Sequence, residues 1–482
     1  MALLKENIRF ALISAVCFAL LLLLSPSNSI DPSLYLDDYP ALLGDADEFY
    51  IKTLTEGRWL NYFWHLRPIL LPAPVHYALF MLGWAVFAAS TAVSAFGRDT
   101  PPWYLVSTAL LITVCPAHIF ISLWSVTLVP ASIILGVYGV INLVAKRQTA
   151  LLALLLMTPL ALMAYSSHPF LLLVAFLTRR DTPASVAKLG VTVALFGCTF
   201  VAGTLAIYGL NYIAHCHFGV IPGQWRNAVA AGNASQFIGN VASAPIQIGT
   251  AVFEMLSESY PVIIIFTAVF GTCTVMLLRS DAPRLVSDLT ACIVGLGLLT
   301  LYLGLSGVTT PYRAYTFLWV TFAVVVGRTM VSADKRSLGG HLRIAAIFFI
   351  ASFSLSAHRY FANYSSWQSV TQKLAQSVRS VAPNAEFVEL KGDLVSGVHF
   401  GDVVFKHRVS FGYRMEYLLE VPSTHCEFNN RACSTEIGEI LYQQPGIEIA
   451  AIGNGALVTL AGSHSQHPAF VNDETTASNC QQ

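Results

Sequence analysis

Residues 149–178 read TALLALLLMTPLALMAYSSHPFLLLVAFLT. As one helix, this stretch crosses a bilayer once. As two helices broken at Ser166-Ser167-His168-Pro169, it crosses and returns, and every later loop changes side. Proline disfavours helical backbone at the residue before it, so Pro169 divides the stretch into a helix over 149–165 and a short one over 169–178. Charge supports the same division. With the hairpin and an inner N-terminus, fourteen Lys and Arg fall on the inner side: Lys5, Arg9, Arg98, Lys146, Arg147, Arg179, Arg180, Lys188, Arg279, Arg284, Arg328, Lys335, Arg336 and Arg343. Five fall outside, at Lys52, Arg58, Arg67, Arg226 and Arg313. Cytoplasmic loops carry the excess of Lys and Arg. A single helix would move Arg279, Arg284, Lys335 and Arg336 to the outside and spoil the bias.

Outward from the hairpin, further apolar runs lie at 8–24, 75–96, 103–122, 126–145, 186–213, 260–278, 286–305, 314–331 and 342–357. Each except 169–178 is long enough to approach the ~30 Å of a hydrocarbon core. The chain is 55% hydrophobic and 11% charged, with a mean hydropathy of +0.61. A soluble domain carries about 25% charged residues, so an ordinary cytosolic enzyme is excluded, as are a disordered chain and a coiled coil. Zero net charge argues against a nucleic-acid partner. The expected fold is an α-helical polytopic membrane protein of about eleven transmembrane helices, with the lipid bilayer as its solvent. The run at 8–24, with Lys5 and Arg9 at its start, reads as a cleaved signal peptide or a retained signal anchor; its length beyond the usual apolar core of a signal peptide and the lack of an A-x-A-like site after it favour the anchor.

Residues 358–482 hold 20 of the 54 charged residues, which places a composition boundary near Ala357–Arg359. The expectation is a transmembrane domain over 1–357 and a small outside domain over 358–482. A helix is expected over Trp367–Val381. Short strand-like runs follow at Glu386–Leu390, Val403–Val409, Met415–Val421 and Glu448–Ile452, with turns at Lys391-Gly392-Asp393 and Gly453-Asn454-Gly455. That pattern reads as α+β, with a disordered tail over 463–482. Of nine cysteines, Cys17, Cys115, Cys198, Cys273 and Cys292 lie in apolar runs. Cys426 and Cys433 lie close together in the outside domain, where a disulfide fits an oxidising compartment.

The outside loop 26–74 is the most informative part of the chain. It holds Asp31, Asp37, Asp38, Asp45, Asp47, Glu48 and Glu56, seven of the fifteen acidic residues before residue 358. Leu34-Tyr35-Leu36-Asp37-Asp38-Tyr39 sets two carboxylates among apolar and aromatic neighbours just after a span. Adjacent side chains point in different directions, so one carboxylate can face a reacting group while the other binds a neighbour or a cation. Gly57-Arg58-Trp59-Leu60 follows. An Arg after a flexible Gly and beside Trp suits a phosphate at the membrane surface. A solvated acidic loop with interfacial aromatic anchors explains the same composition.

His168, in the turn after Tyr165, is able to hydrogen-bond a substrate or to serve the turn itself. Arg313 in Pro311-Tyr312-Arg313-Ala314-Tyr315 is a second candidate phosphate ligand or an interfacial anchor. Loop 214–259 carries Gln224, Trp225, Arg226, Asn227, Asn233, Gln236 and Asn240, which suit sugar hydroxyls. Glu254 and Glu258 have the spacing of one helix face. No nucleotide-hydrolysis or protease signature is present. The spans hold almost no ionisable residue, which counts against an ion-coupled transporter.

With Asp37-Asp38 followed by Gly57-Arg58, the chain resembles bacterial polytopic GT-C glycosyltransferases, and among them the Gtr-type glucosyltransferases of O-antigen. Tyr165-Ser166-Ser167 is similar to that family's central tyrosine turn, with Ser166 where the family tends to have Gln. Asn363-Tyr364-Ser365-Ser366-Trp367 is similar to a segment after its last span. The resemblance covers the layout of the membrane domain and leaves the C-terminal domain unmatched. It implies a GT-C-like fold in a bacterial inner membrane, with the site and the C-terminal domain on the periplasmic side. It also implies transfer of a sugar, glucose in that family, from a polyprenyl-phosphate donor to a surface glycan such as O-antigen lipopolysaccharide.

In that setting Asp37 or Asp38 is the base. Arg58 and Arg313 hold the donor phosphate, and Tyr39, Trp59, Tyr165 and His168 contact substrate. One displacement inverts the anomeric carbon. No sequence feature requires a cofactor, although a carboxylate pair is able to bind Mg²⁺ or Mn²⁺. Two competing readings are a transporter or flippase of a lipid-linked sugar, and a non-catalytic envelope assembly protein.

Overall fold

The computed structural model describes residues 2–97, 99–182, 185–223, 228–256, 259–333, 337–392, 408–426, 433–434, 437–444 and 446–460. The expectations placed on Arg98, Gln224, Trp225, Arg226, Asn227, Glu258, Lys335, Arg336, most of the run 403–409 and the tail 463–482 lie outside the described residues.

Helix α1 (Ala2–Leu24) leads into the acidic loop, which folds as three short helices, α2 (Asp38–Leu43), α3 (Asp47–Glu56) and α4 (Trp59–His65). Next come α5 (Ala73–Phe96), α6 (Pro102–Thr113), α7 (Pro116–Ile121), α8 (Val129–Val144), α9 (Arg147–Ala164) and α10 (His168–Leu177). The remaining long helices are α11 (Val186–His215), α12 (Ala234–Met255), α13 (Tyr260–Ser280), α14 (Ala282–Ser306), α15 (Thr316–Ala333) and α16 (Ser337–Val381). Proline stands at the start of α5, α6, α7, α8, α10, α13 and α14, where its missing N–H costs no intrahelical bond. The break at Ser166–Pro169 is one of these punctuation points.

Seven helices are long and apolar enough to cross a membrane, or eight when the pair Pro102–Thr113 and Pro116–Trp124, bent by 49°, counts as one span. The runs at 8–24, 126–145 and 169–178 form shorter apolar helices. All eleven expected runs are therefore helical, but the number that meets the length of a span is smaller than eleven. All ten residues of α10 are buried, packed among α8, α9, α14 and α15. α5 and α8 lie close enough that a Cβ added at Gly83 would meet the Ser132 carbonyl oxygen at 2.6 Å. α11 and α13 instead expose Val191, Val201, Leu205, Ile264 and Leu278, the surface that lipid has to cover.

Helix C-terminal carbonyls lack intrahelical partners, and at the bundle end away from the acidic loop arginines supply them. Arg179 donates to the Asn142 oxygen and to Ala145 O (3.2 Å) at the end of α8. Arg284 reaches Arg179 O at 2.7 Å. Arg328 pairs with buried Asp288 at 2.6 Å and donates to Ala95 O at 3.1 Å and to Thr178 O.

Two boundaries also change. Loop 214–259 contains the 22-residue helix α12, with Asn233 capping it through the Gln236 N–H; its amides give it the composition of a loop. The composition boundary at 357–359 falls inside α16, whose 45 residues extend about 67 Å at ~1.5 Å per residue and continue from the apolar run into the C-terminal domain.

That domain is a mixed sheet of five strands among the described residues: β1 (Val388–Lys391), β2 (Ser423–His425), β3 (Ile440–Gln444), β4 (Ile447–Ile452) and β5 (Gly455–Leu460), in the order β2-β1-β5-β4-β3. β1 is parallel to β2 and β5, and the other pairs are antiparallel. Gly453-Asn454 makes the two-residue turn between β4 and β5. The expected strand at Met415–Val421 is instead largely helix α17 (Arg408–Leu419). Phe411, Met415 and Leu419, four residues apart, pack with Leu374, Ala375 and Val378 of α16 on Val388, Leu390, Ile449, Ala456, Val458 and Leu460 of the sheet. A four-residue spacing is a helix face. Cys426 and Cys433 form the expected disulfide.

Candidate functional site

Asp37 sits at the N-cap of α2 and Asp38 is its first residue. Their side chains turn to different partners. Asp38 is fully buried, and its two oxygens accept the backbone N–H groups of Val126 (2.7 Å) and Thr127 (2.9 Å). Burial pushes the Asp38 carboxyl up to about 7, with those amides pulling the other way. Asp37 forms an ion pair with Lys52 of α3 and keeps 16% of its side chain exposed.

Gly57 ends α3 with a positive φ of 72°, a conformation that costs glycine little. After this turn Arg58 lies within electrostatic reach of the acidic pair. Arg58 meets Glu56 at 2.5 Å and lies over the Tyr165 ring at 5.5 Å. Glu56, Tyr165, Asp37 and Asp38 all act on it electrostatically. Tyr165 in turn sits edge-on to buried His168 at 4.9 Å. The turn of the 149–178 hairpin thus forms the floor under Arg58, and Asn61 of α4 fastens to it by donating to Ala164 O at 3.1 Å.

The structure brings Asp37, Asp38, Arg58, Tyr165 and His168 together. Tyr39 and Trp59, expected to contact substrate, have packing partners instead. Tyr39 is fully buried, 6.3 Å from the ring of Tyr417 in the C-terminal domain. Trp59 is buried, with its indole N–H on Asn211 of α11 at 2.8 Å. Arg313 is separate from Arg58. It lies over Trp124 at 4.7 Å and Phe120 at 5.8 Å, on the wall of a cavity of about 660 Å³ that it shares with Gln247, Thr250, Glu254, Thr309 and Thr310. One aromatic layer joins the two places: Trp124 also meets Tyr35 at 4.8 Å, and the Val126–Thr127 backbone beyond it holds Asp38.

Asp37 and Asp38 do not form a common cation site, because one is engaged by two amides and the other by Lys52. Among the described residues no group of three or more His, Cys, Asp or Glu side chains is placed to hold a metal ion.

Sequence reasoning missed Lys52, Trp124 and the Val126–Thr127 amides. Backbone donors carry no sequence signature, and residues 122–128 read only as the junction between the apolar runs 103–122 and 126–145. It also missed His65, which is buried against Phe49 at 3.8 Å, with neither ring nitrogen hydrogen-bonded. Burial pushes its imidazole down to about 3, with Arg67, His76 and Lys52 adding to the effect. A His with a depressed folded pKa gives stability that is present above its unfolded value of 6.5 and lost as pH falls towards 3. His65→Phe is therefore expected to flatten the fall in Tm of detergent-solubilised protein between pH 6.5 and 4. An unchanged slope would place the acid sensitivity elsewhere.

No protein-family model, curated protein or solved structure matches this chain.

Proposed function

We propose that the chain is an inverting membrane glycosyltransferase that moves a sugar, glucose by family resemblance, from a polyprenyl-phosphate donor to a surface glycan on the periplasmic side of a bacterial inner membrane. The observation that carries this reading is the convergence of Asp37, Arg58, Tyr165 and His168 at one end of a multi-pass bundle, with Trp124 between them and a polar-walled cavity at Arg313. The acceptor hydroxyl attacks the anomeric carbon, and Asp37 takes its proton. The bond from that carbon to the phosphate oxygen breaks, with its electron pair going to the polyprenyl phosphate. That leaving group is already a stable anion and needs a cation rather than an acid, the role given to Arg58. The cavity beside Arg313 has amide, hydroxyl and carboxylate walls with apolar Ile246 and Pro311, which suits the hydroxyls and C–H faces of the acceptor glycan. This moves Arg313 from the donor phosphate to the acceptor side. In this reading the three short apolar helices complete eleven crossings.

A transporter would use intramembrane charge, and the buried pair Asp288–Arg328 sits at the bundle end away from the acidic loop. Its remaining donors are spent on the Ala95 and Thr178 carbonyls, which is the work of a helix-end cap.

Two experiments test the proposal. Membranes containing the chain should transfer labelled sugar from polyprenyl phosphate to glycan, and absence of transfer with every lipid-linked donor overturns it. For the orientation, a phosphatase reporter fused after Ser259 or Gln482 is expected to be active, and one fused after Arg284 inactive. Activity at Arg284 would invert the topology.

A further inference from the structure

We propose that Arg414 is a positioning residue, through which the C-terminal domain holds the segment that presents Asp37. This rests on the reading of Asp37 as the base. Residues 32–35 have no regular secondary structure, so their placement depends on partners elsewhere. Tyr35 N–H donates to Leu123 O at 2.9 Å. Many of the other partners come from beyond the last apolar run.

The Arg414 guanidinium, fully buried, is bidentate on Asp31, at 2.6 Å from Nη1 to Oδ1, with Nη2 on Oδ2. Its Nε donates to Thr371 Oγ1 at 3.3 Å and its face lies 5.3 Å over Trp367. Gln372 adds a bond to Asp31 Oδ2 at 2.7 Å. The Gln368 amide donates to Asn28 Oδ1 and Ser33 Oγ, each at 3.0 Å, and to Asp31 O.

The geometry gives this contact a direction of action. α16 and α17 each turn one face to the sheet, through Leu374, Val378, Phe411 and Met415, and another to segment 28–39, through Gln368, Gln372, Arg414 and Tyr417, with Thr371 of α16 bonded to Arg414. The sheet fixes the two helices, and the helices fix the segment. A planar fork on a carboxylate sets orientation as well as distance. A buried ion pair is weak support for stability, while its use in specifying one arrangement is better attested. Asp31 consumes the charge of Arg414, so Arg414 acts on the reaction through the position of Asp37, six residues on.

The test uses full-length protein in detergent with two readouts: amide hydrogen exchange over residues 31–39 and over β1, β4 and β5, and kcat with KM for sugar transfer. In Arg414→Gln, exchange over 31–39 is expected to accelerate while the strands keep their protection. A misplacement of about 1 Å costs on the order of 100-fold, and the loss should fall on kcat with the donor KM unchanged. Arg414→Lys returns the charge without the fork and should recover part of the loss. Gln368→Leu, which leaves the ion pair intact, should show the same signs at smaller size; it decides the matter if Arg414→Gln also loosens the strands. Unchanged exchange over 31–39, or accelerated exchange with wild-type kcat, overturns the proposal. If wild-type protein transfers no sugar, the enzyme reading fails, and the exchange data still report whether Arg414 holds the segment.

Discussion

Asp37→Asn is expected to lower sugar transfer by about 10²–10⁴-fold, the range typical of a lost general base, while protein abundance and Tm stay at wild-type values. Asn keeps the shape of the side chain and an acceptor for Lys52, so the N-cap of α2 and the ion-pair neighbour are disturbed little. What disappears is the group proposed to take the proton from the attacking hydroxyl. The assay is the initial rate of transfer in membranes, normalised to the amount of protein. Asp45→Asn and Asp47→Asn, in the same loop but exposed, are the controls and should be mild. Near wild-type transfer in Asp37→Asn would remove Asp37 from the chemistry.

The opposite profile is expected at the neighbouring residue. Asp38→Ala strips the acceptor from two buried backbone N–H groups, Val126 and Thr127. An unsatisfied buried donor costs about 1–3 kcal/mol, so the pair amounts to about 2–6 kcal/mol, enough to deplete a membrane protein of ordinary stability. Asp38→Asn leaves one amide facing an NH₂ group and should cost about half as much, about 1–3 kcal/mol. Thermal unfolding in detergent and abundance in membranes are the readouts. If Asp38→Asn instead melts like wild type and abolishes transfer, the two aspartates exchange roles.

The contrast between these adjacent residues shows what a sequence conveys about such a site. The pair Asp37-Asp38 stands out because carboxylates are scarce in so apolar a chain, and the split of roles is foreseeable because neighbours on a backbone diverge. The partner that decides which residue does what is invisible: two main-chain amides 88 and 89 residues away, whose donors are the same in every residue but proline. Asp31 and Arg414, 383 residues apart, are hidden for a similar reason, since nothing local marks either as half of a pair.

The helices were legible where punctuation accompanied apolarity, as at Pro169, and so was the turn at Gly453-Asn454. The disulfide followed from two cysteines close together in the most polar part of the chain. Met415–Val421, largely within α17, reads as a strand because it is short enough to satisfy either period. Only the sheet beneath Phe411, Met415 and Leu419 selects the helical one. α12 was lost among amides that cover one of its faces. The count of crossings is ambiguous in the sequence because α8 and α10 are flanked by neighbouring helices, so burial no longer requires that each be as long as the bilayer is thick.

The central claim is that the convergence around Asp37 and Arg58 transfers sugar from a lipid phosphate. The most direct measurement is release of free polyprenyl phosphate by purified protein reconstituted in liposomes with a panel of polyprenyl-phosphate hexoses and acceptor glycan. The expected result is acceptor-dependent release of polyprenyl phosphate, matched by sugar gained on the glycan, from wild-type protein and not from Asp37→Asn. No release from any hexose donor, or equal release from both proteins, would contradict it.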